Sequence, residues 1–214
     1  MNSFKQNRNK GFTLIEMIGV LAIIGVLAGV LLPKVFQAIA RGKVNGTAAS
    51  YHNVKTAAAD YFVRNGSFPL RAGTGATNAA VATGRFDADL VSGGFLEKLF
   101  AASIGAQLHD ISALTGRSHV RSQTAAASGT LTITASTGGD NFNLDGDTAT
   151  ADFTAANTVV SIMIPGVATA DAVELNALID NDTVSGSAED ITGRCIFSTP
   201  AEGTTTVYLY VAHR

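Results

Sequence analysis

One carboxylate stands where hydrocarbon belongs. Between Phe12 and Leu32 nearly every residue is apolar or small, yet Glu16 lies four residues into the run. A charge in an apolar span is costly, so it calls for a partner and a purpose. Other groups capable of chemistry are scattered. Asp140, Asp145 and Asp147, with Asn141 and Asn143, form an acidic turn whose oxygens suit Ca²⁺. Their spacing misses the EF-hand pattern, and acidic turns are ordinarily solvated loops, so no metal site is assigned. His52, His109, His119 and His213 make no H-x-x-x-H pair, and Cys195 is the only cysteine, so no zinc site is indicated. A lone cysteine also rules out an intrachain disulfide. Cys195 sits in an apolar pattern and reads as a buried filler rather than a nucleophile. No G-x-S-x-G elbow, P-loop or Cys-His arrangement is present. The residue types point away from an enzyme and from a bound cofactor.

The elements that must position Glu16 begin with the run itself. Phe12 to Leu32 is 21 residues, roughly 31 Å as a helix, which matches the hydrocarbon thickness of a bilayer. Lys5, Arg8 and Lys10 precede it, which predicts a cytoplasmic start and an outward-facing remainder. A secretory signal peptide would have a shorter apolar core and a small-x-small cleavage site, whereas this run flows into Pro33-Lys34-Val35-Phe36. The charged fraction of the 214 residues is only 15 %, and the net charge of -2 hides an asymmetry. Gln123 to Gly193 contains ten Asp and Glu and no Lys or Arg. That excludes a nucleic-acid surface there, because phosphate binding needs clustered cations.

Pro33 lacks the N–H that would bond to Gly29, so it weakens or kinks its turn. Gly25 and Gly29 lie in the same stretch, where glycine lowers helix propensity and permits close packing. Beyond Pro33, Phe36, Ile39, Val44, Tyr51, Val54, Ala58 and Tyr61 recur at helical steps. One helix from near Thr13 to Arg64 is predicted, about 78 Å if straight, with an apolar first half and an amphipathic second half. Asn65-Gly66-Ser67-Phe68-Pro69 is a stop signal. A second helix is expected over Asp87 to Ser103, interrupted by Gly93-Gly94, and a third over Ala168 to Asp180 with Ala172, Leu175, Leu178 and Ile179 on one face. Alternation predicts strands at Thr130 to Thr134, Asn141 to Leu144, Val159 to Ile164, Arg194 to Ser198 and Thr205 to Ala212. The fold class is α+β: a long N-terminal helix packed on a small antiparallel sheet.

The string Lys10-Gly11-Phe12-Thr13-Leu14-Ile15-Glu16 resembles the N-terminal signature of the type IV pilin superfamily, which includes pilus subunits and the pseudopilins of type II secretion. The resemblance covers the first fifth of the chain. It implies a leader of residues 1–11 removed by a prepilin peptidase between Gly11 and Phe12, N-methylation of Phe12, and an assembly role for Glu16. It also implies that the region from Gly25 and Gly29 to Pro33 loosens in a filament. Residues 12–33 would then be the membrane and assembly helix, 34–64 its amphipathic continuation, and 65–214 an α+β head outside the inner membrane. The implied partners are copies of the same chain in a helical filament, the peptidase and methyltransferase, and an inner-membrane assembly platform.

Physical chemistry supplies reasons for these parts. Gly11 lets a protease draw the backbone close, and cleavage there creates an amine at the membrane surface. Glu16 lies one turn from Phe12, so it can meet that amine or a neighbour's, and a pair of charges is tolerated where one alone is not. Tyr61 to Pro69 and Leu90 to Leu96 also resemble pseudopilin segments. However, Leu99-Phe100-Ala101 stands where the major secretion pseudopilins show Asp-Pro-Trp-Gly. Pilins of the best-known kind close a C-terminal loop with two cysteines, so here the last strand must be held by pairing and packing. The alternatives are a secretion or DNA-uptake pseudopilin, and a membrane-tethered binding module or enzyme that uses Phe12 to Leu32 only as an anchor.

Overall fold

A 52-residue helix, α1 (Leu14–Asn65), is the longest element of the computed structural model. The structure describes residues 11–71, 85–106, 118–125, 142–145, 152–153, 157–182, 184 and 189–214. The helix runs one residue past its expected C-terminal bound, Arg64, and starts one residue after Thr13. It continues through Pro33 without a break, so the proline costs a hydrogen bond and not the helix. It ends where the Asn-Gly pair predicts. Gly66 takes φ +71° and donates its N–H to the Phe62 carbonyl at 2.8 Å, the left-handed cap that glycine adopts without a Cβ penalty.

The chain divides into two compact units, Met1–Ala40 and Arg41–Arg214. In the first, every described residue before Ala40 is exposed. In the second, α1 buries Val44, Thr47, Tyr51, Val54, Ala57 and Ala58, the three- and four-residue steps of one helical face.

That face meets a four-stranded antiparallel sheet. Its strands are β1 (His119–Thr124), β2 (Thr158–Ala168), β3 (Cys195–Phe197) and β4 (Thr204–His213), in the order β1-β2-β4-β3. Two helices complete the unit, α2 (Phe86–Ser92) and α3 (Thr169–Ile179). Side chains alternate across the sheet as a pleated strand requires. Val207, Leu209 and Val211 of β4 join Ile162 and Ile164 of β2 in the core that contains Val44, Tyr51 and Ala58. Tyr208 joins Val159, Ile196, Phe142 and Phe153 in a second cluster. Both faces of the sheet are therefore covered. The Tyr51 hydroxyl donates to the Tyr210 carbonyl at 2.8 Å and fixes α1 against β4.

Several expectations are corrected. The helix from Asp87 ends at Ser92, not Ser103. Gly94 adopts φ +75°, and the N–H groups of Phe95 and Leu96 both return to the Leu90 carbonyl. The residues that follow are irregular and are held by a buried pair: the Asp87 carboxylate accepts the Phe100 N–H at 2.9 Å, and Arg85, paired with Asp87, donates to the Phe100 carbonyl at 2.9 Å. On α3, Leu178 is exposed and Asn176 is buried, the reverse of the apolar pattern. Asn176 turns inward because it has hydrogen-bonding work there, donating to the Cys195 carbonyl. β1 has no counterpart in the expected strands. Its sequence HVRSQT carries one large aliphatic residue, and its pairing with β2, Val120 against Ile162, creates it. Asn143 makes a single bridge to Thr192 instead of a strand. The strand expected at Thr130 to Thr134 lies outside the described residues.

Candidate processing and assembly site

Thr13 and Glu16 close the start of α1 on each other. The Thr13 backbone N–H donates to Glu16 Oε2 at 2.8 Å, and the Thr13 hydroxyl donates to the same oxygen at 2.7 Å. In return the Glu16 N–H donates to the Thr13 hydroxyl at 3.3 Å. This is a capping box: a Thr at the cap and a Glu three residues on satisfy N–H groups that the helix leaves unbonded. The negative charge also faces the positive end of the helix dipole. Thr13 is thus a site residue beside Glu16, and the T-x-x-E spacing is the signal for it in the sequence.

The residues around the box are open. Gly11 and Phe12 are exposed and precede the helix, and Phe12 keeps 85 % of its accessible surface. A Cβ placed on Gly11, Gly25 or Gly29 would meet nothing within 4 Å. The helix is long and apolar enough to cross a membrane. Its large apolar side chains, Leu14 and Ile15 through Leu31 and Leu32 to Phe36 and Ile39, are all exposed. Such a surface needs lipid or another protein against it. Chemically the site offers an accessible Gly–Phe peptide bond, a carboxylate one turn beyond it, and a bare apolar helix behind.

The remaining candidates are not brought together. His52 lies against the Tyr51 ring, His119 is buried in β1, and His213 is beside Tyr210 at the end of β4. His109, Asp140 and Asp147 lie outside the described residues, and Asp145 is exposed. Among the described residues no three His, Cys, Asp or Glu side chains are grouped for a metal. Cys195 is fully buried, and burial pushes its thiol well above the usual range, so it is inert.

One comparison with known proteins falls on the same segment. Residues 6–32 match the family model for the prokaryotic N-terminal methylation motif. Over 74 residues the chain is 39 % identical to a fimbrial protein of Neisseria meningitidis serogroup B, covering 35 % of this chain and 41 % of that one. Over 60 residues it is 40 % identical to a type IV major pilin protein PilE1 of Neisseria gonorrhoeae, covering 28 % and 36 %. The match thus spans less than half the length of each relative. No solved structure matches the chain. The Gly11-Phe12 junction and Glu16 thus lie within a segment that carries the prokaryotic N-terminal methylation motif, in a chain similar to fimbrial and type IV major pilin proteins.

Proposed function

We propose that the chain is a structural subunit of a type IV pilus-like filament. It is made as an inner-membrane precursor with its N-terminus in the cytoplasm, cut after Gly11 by a prepilin peptidase, and methylated on Phe12. An assembly platform then polymerises it into a filament outside the inner membrane. The observation that carries this reading is the exposed Gly11-Phe12 junction directly ahead of the Thr13–Glu16 box, on a helix whose apolar side chains are exposed.

Each part has a task in that sequence. The bilayer covers the apolar side chains of the waiting subunit. In a filament the same side chains pack against other copies, with Gly25 and Gly29 admitting close approach and Pro33 marking the turn where the helix yields. The amine freed at Phe12 supplies the positive charge that Glu16 otherwise lacks. An incoming amine finds a carboxylate already aimed by Thr13, and pairing it with that charge fixes the axial stagger of neighbouring helices. The fimbrial and major-pilin relatives favour a pilus over a secretion pseudopilin.

Intact-mass spectrometry of the purified full chain tests the reading. The expected mass lacks Met1 to Gly11 and carries one added methyl group. A chain that retains Met1, or starts elsewhere than at Phe12, overturns it.

A further inference from the structure

The sequence contains two Asn-Gly pairs, Asn45-Gly46 and Asn65-Gly66, and the fold treats them differently. Asparagine before glycine is the dipeptide best able to attack itself. With no Cβ in the way, the glycine backbone nitrogen can swing against the asparagine side chain and close a succinimide ring. Ring closure needs the asparagine ψ to leave its helical value, so a helix that holds the peptide also holds back the reaction.

Asn45-Gly46 lies inside α1 between two wholly buried residues, Val44 and Thr47. The Thr47 hydroxyl donates to the Lys43 carbonyl at 3.0 Å and accepts the Ser103 N–H at 3.1 Å. The Gly46 carbonyl accepts the Ser50 hydroxyl at 3.0 Å. Turning the Asn45 peptide out of the helix would pull Val44 and Thr47 from the core and break these bonds. Asn45 is itself exposed, so its protection comes from its neighbours.

Asn65-Gly66 lies where α1 stops. Asn65 is the last helical residue, Gly66 is already outside the helix at φ +71°, and residues 63–67 are all exposed. The pair is held by Asn65 Nδ2 donating to the Tyr61 carbonyl at 3.0 Å and by the Gly66 N–H donating to the Phe62 carbonyl at 2.8 Å. Both bonds belong to the final turn, where local opening is cheap because few buried contacts are lost. The first buried side chain beyond the pair is Phe68, whose ring packs against Phe62 and Phe86 at centroid distances of 5.2 and 5.8 Å.

We propose that Asn65 is a self-modification site, at which the folded protein converts asparagine to a mixture of aspartate and isoaspartate while Asn45 stays intact. Solvent base takes the Gly66 N–H proton. The Gly66 nitrogen forms a bond to Asn65 Cγ, the Cγ–Nδ2 bond breaks, and the side-chain nitrogen leaves as ammonia with a proton from water. Water then opens the ring at the side-chain carbonyl to give aspartate, or at the main-chain carbonyl to give isoaspartate. Water is consumed and ammonia released, nothing is oxidised or reduced, and neither an enzyme nor filament assembly is needed. The products alter the helix end. A carboxylate only accepts hydrogen bonds, so the bond to the Tyr61 carbonyl is lost. Its negative charge also stands at the negative end of the helix dipole. Isoaspartate adds a methylene to the main chain just before the turn that leads to Phe68.

The test incubates the purified full-length protein in detergent at neutral pH and follows both sites by peptide mapping with mass spectrometry that resolves isoaspartate. Each rate is divided by that of a short peptide carrying the same pair, which forms no stable helix. The fraction of the free rate retained at Asn65 should exceed that at Asn45 by about tenfold or more. Equal retention at the two sites, or greater retention at Asn45, overturns the proposal. So does a folded protein that forms no product at Asn65 while the peptide is converted. Asn65→Asp, which fixes one of the products, should melt about 2–4 °C below wild type. An unchanged melting temperature would overturn the loss assigned to the helix end.

Discussion

The Thr13 hydroxyl and the Thr13 backbone N–H donate to one and the same oxygen of Glu16, at 2.7 and 2.8 Å. The carboxylate is thus aimed before any neighbour arrives. Thr13→Val removes the hydroxyl donor and the cap but leaves the charge, so cleavage should proceed and filament yield should fall. Thr13→Ser should restore it. Glu16→Val should give cleaved protein that stays in the membrane. Shearing filaments from cells and weighing them against membrane-retained subunit separates these outcomes.

Gly11→Val places a branched side chain beside the peptide bond to be cut. Uncut precursor should accumulate in the membrane fraction, visible as a heavier band on a gel. Equal amounts of cut protein from the variant and wild type would remove Gly11 from the processing site.

Tyr51 is 1 % exposed and spans from α1 to the Tyr210 carbonyl. Tyr51→Phe keeps the ring and loses the bond, which should cost about 1 kcal/mol and lower the melting temperature by about 2–4 °C. Burial pushes the hydroxyl up to about 12, so the unfolded chain ionises first, near its ordinary value of about 10. Wild-type stability should therefore fall as pH rises between those two values, and Tyr51→Phe should flatten that fall. Circular-dichroism melts across alkaline pH measure both effects.

Asp87 is wholly buried between Arg85 and the Phe100 N–H. Asp87→Ala strands a guanidinium that is itself largely buried, and removing one partner of such a pair costs about 3–5 kcal/mol. Chemical denaturation should show that loss. Arg85→Met together with Asp87→Leu should recover much of it, because an apolar pair leaves no charge behind.

What was legible in the sequence follows from how locally each feature is written. Gly11, Phe12 and Glu16 lie within six residues, and the apolar run, the stop at Asn65-Gly66 and the alternation of β2 and β4 are equally local patterns. The capping box is local too, and T-x-x-E names it. β1 is different: His119, Arg121 and Ser122 are buried because β2 is beside them, and nothing within HVRSQT announces a strand. The hydrogen-bond network between α3 and β3 is the least legible of all. Asn176, Asp180, Asp190 and Cys195 become neighbours only when α3 docks beside β3, and an inward asparagine spoils the apolar periodicity that would otherwise mark the buried face. A buried and a half-buried acid in a stretch rich in acids look like solvated surface.

The placement of β4 sets the timing of folding. It follows every other described strand in the chain, yet it is an inner strand, paired with β2 on one side and β3 on the other. The head cannot close around a shorter nascent chain, because its central pairing partner has not yet been made. Long-range pairing of this kind is slow, since distant segments must meet before their contacts stabilise anything.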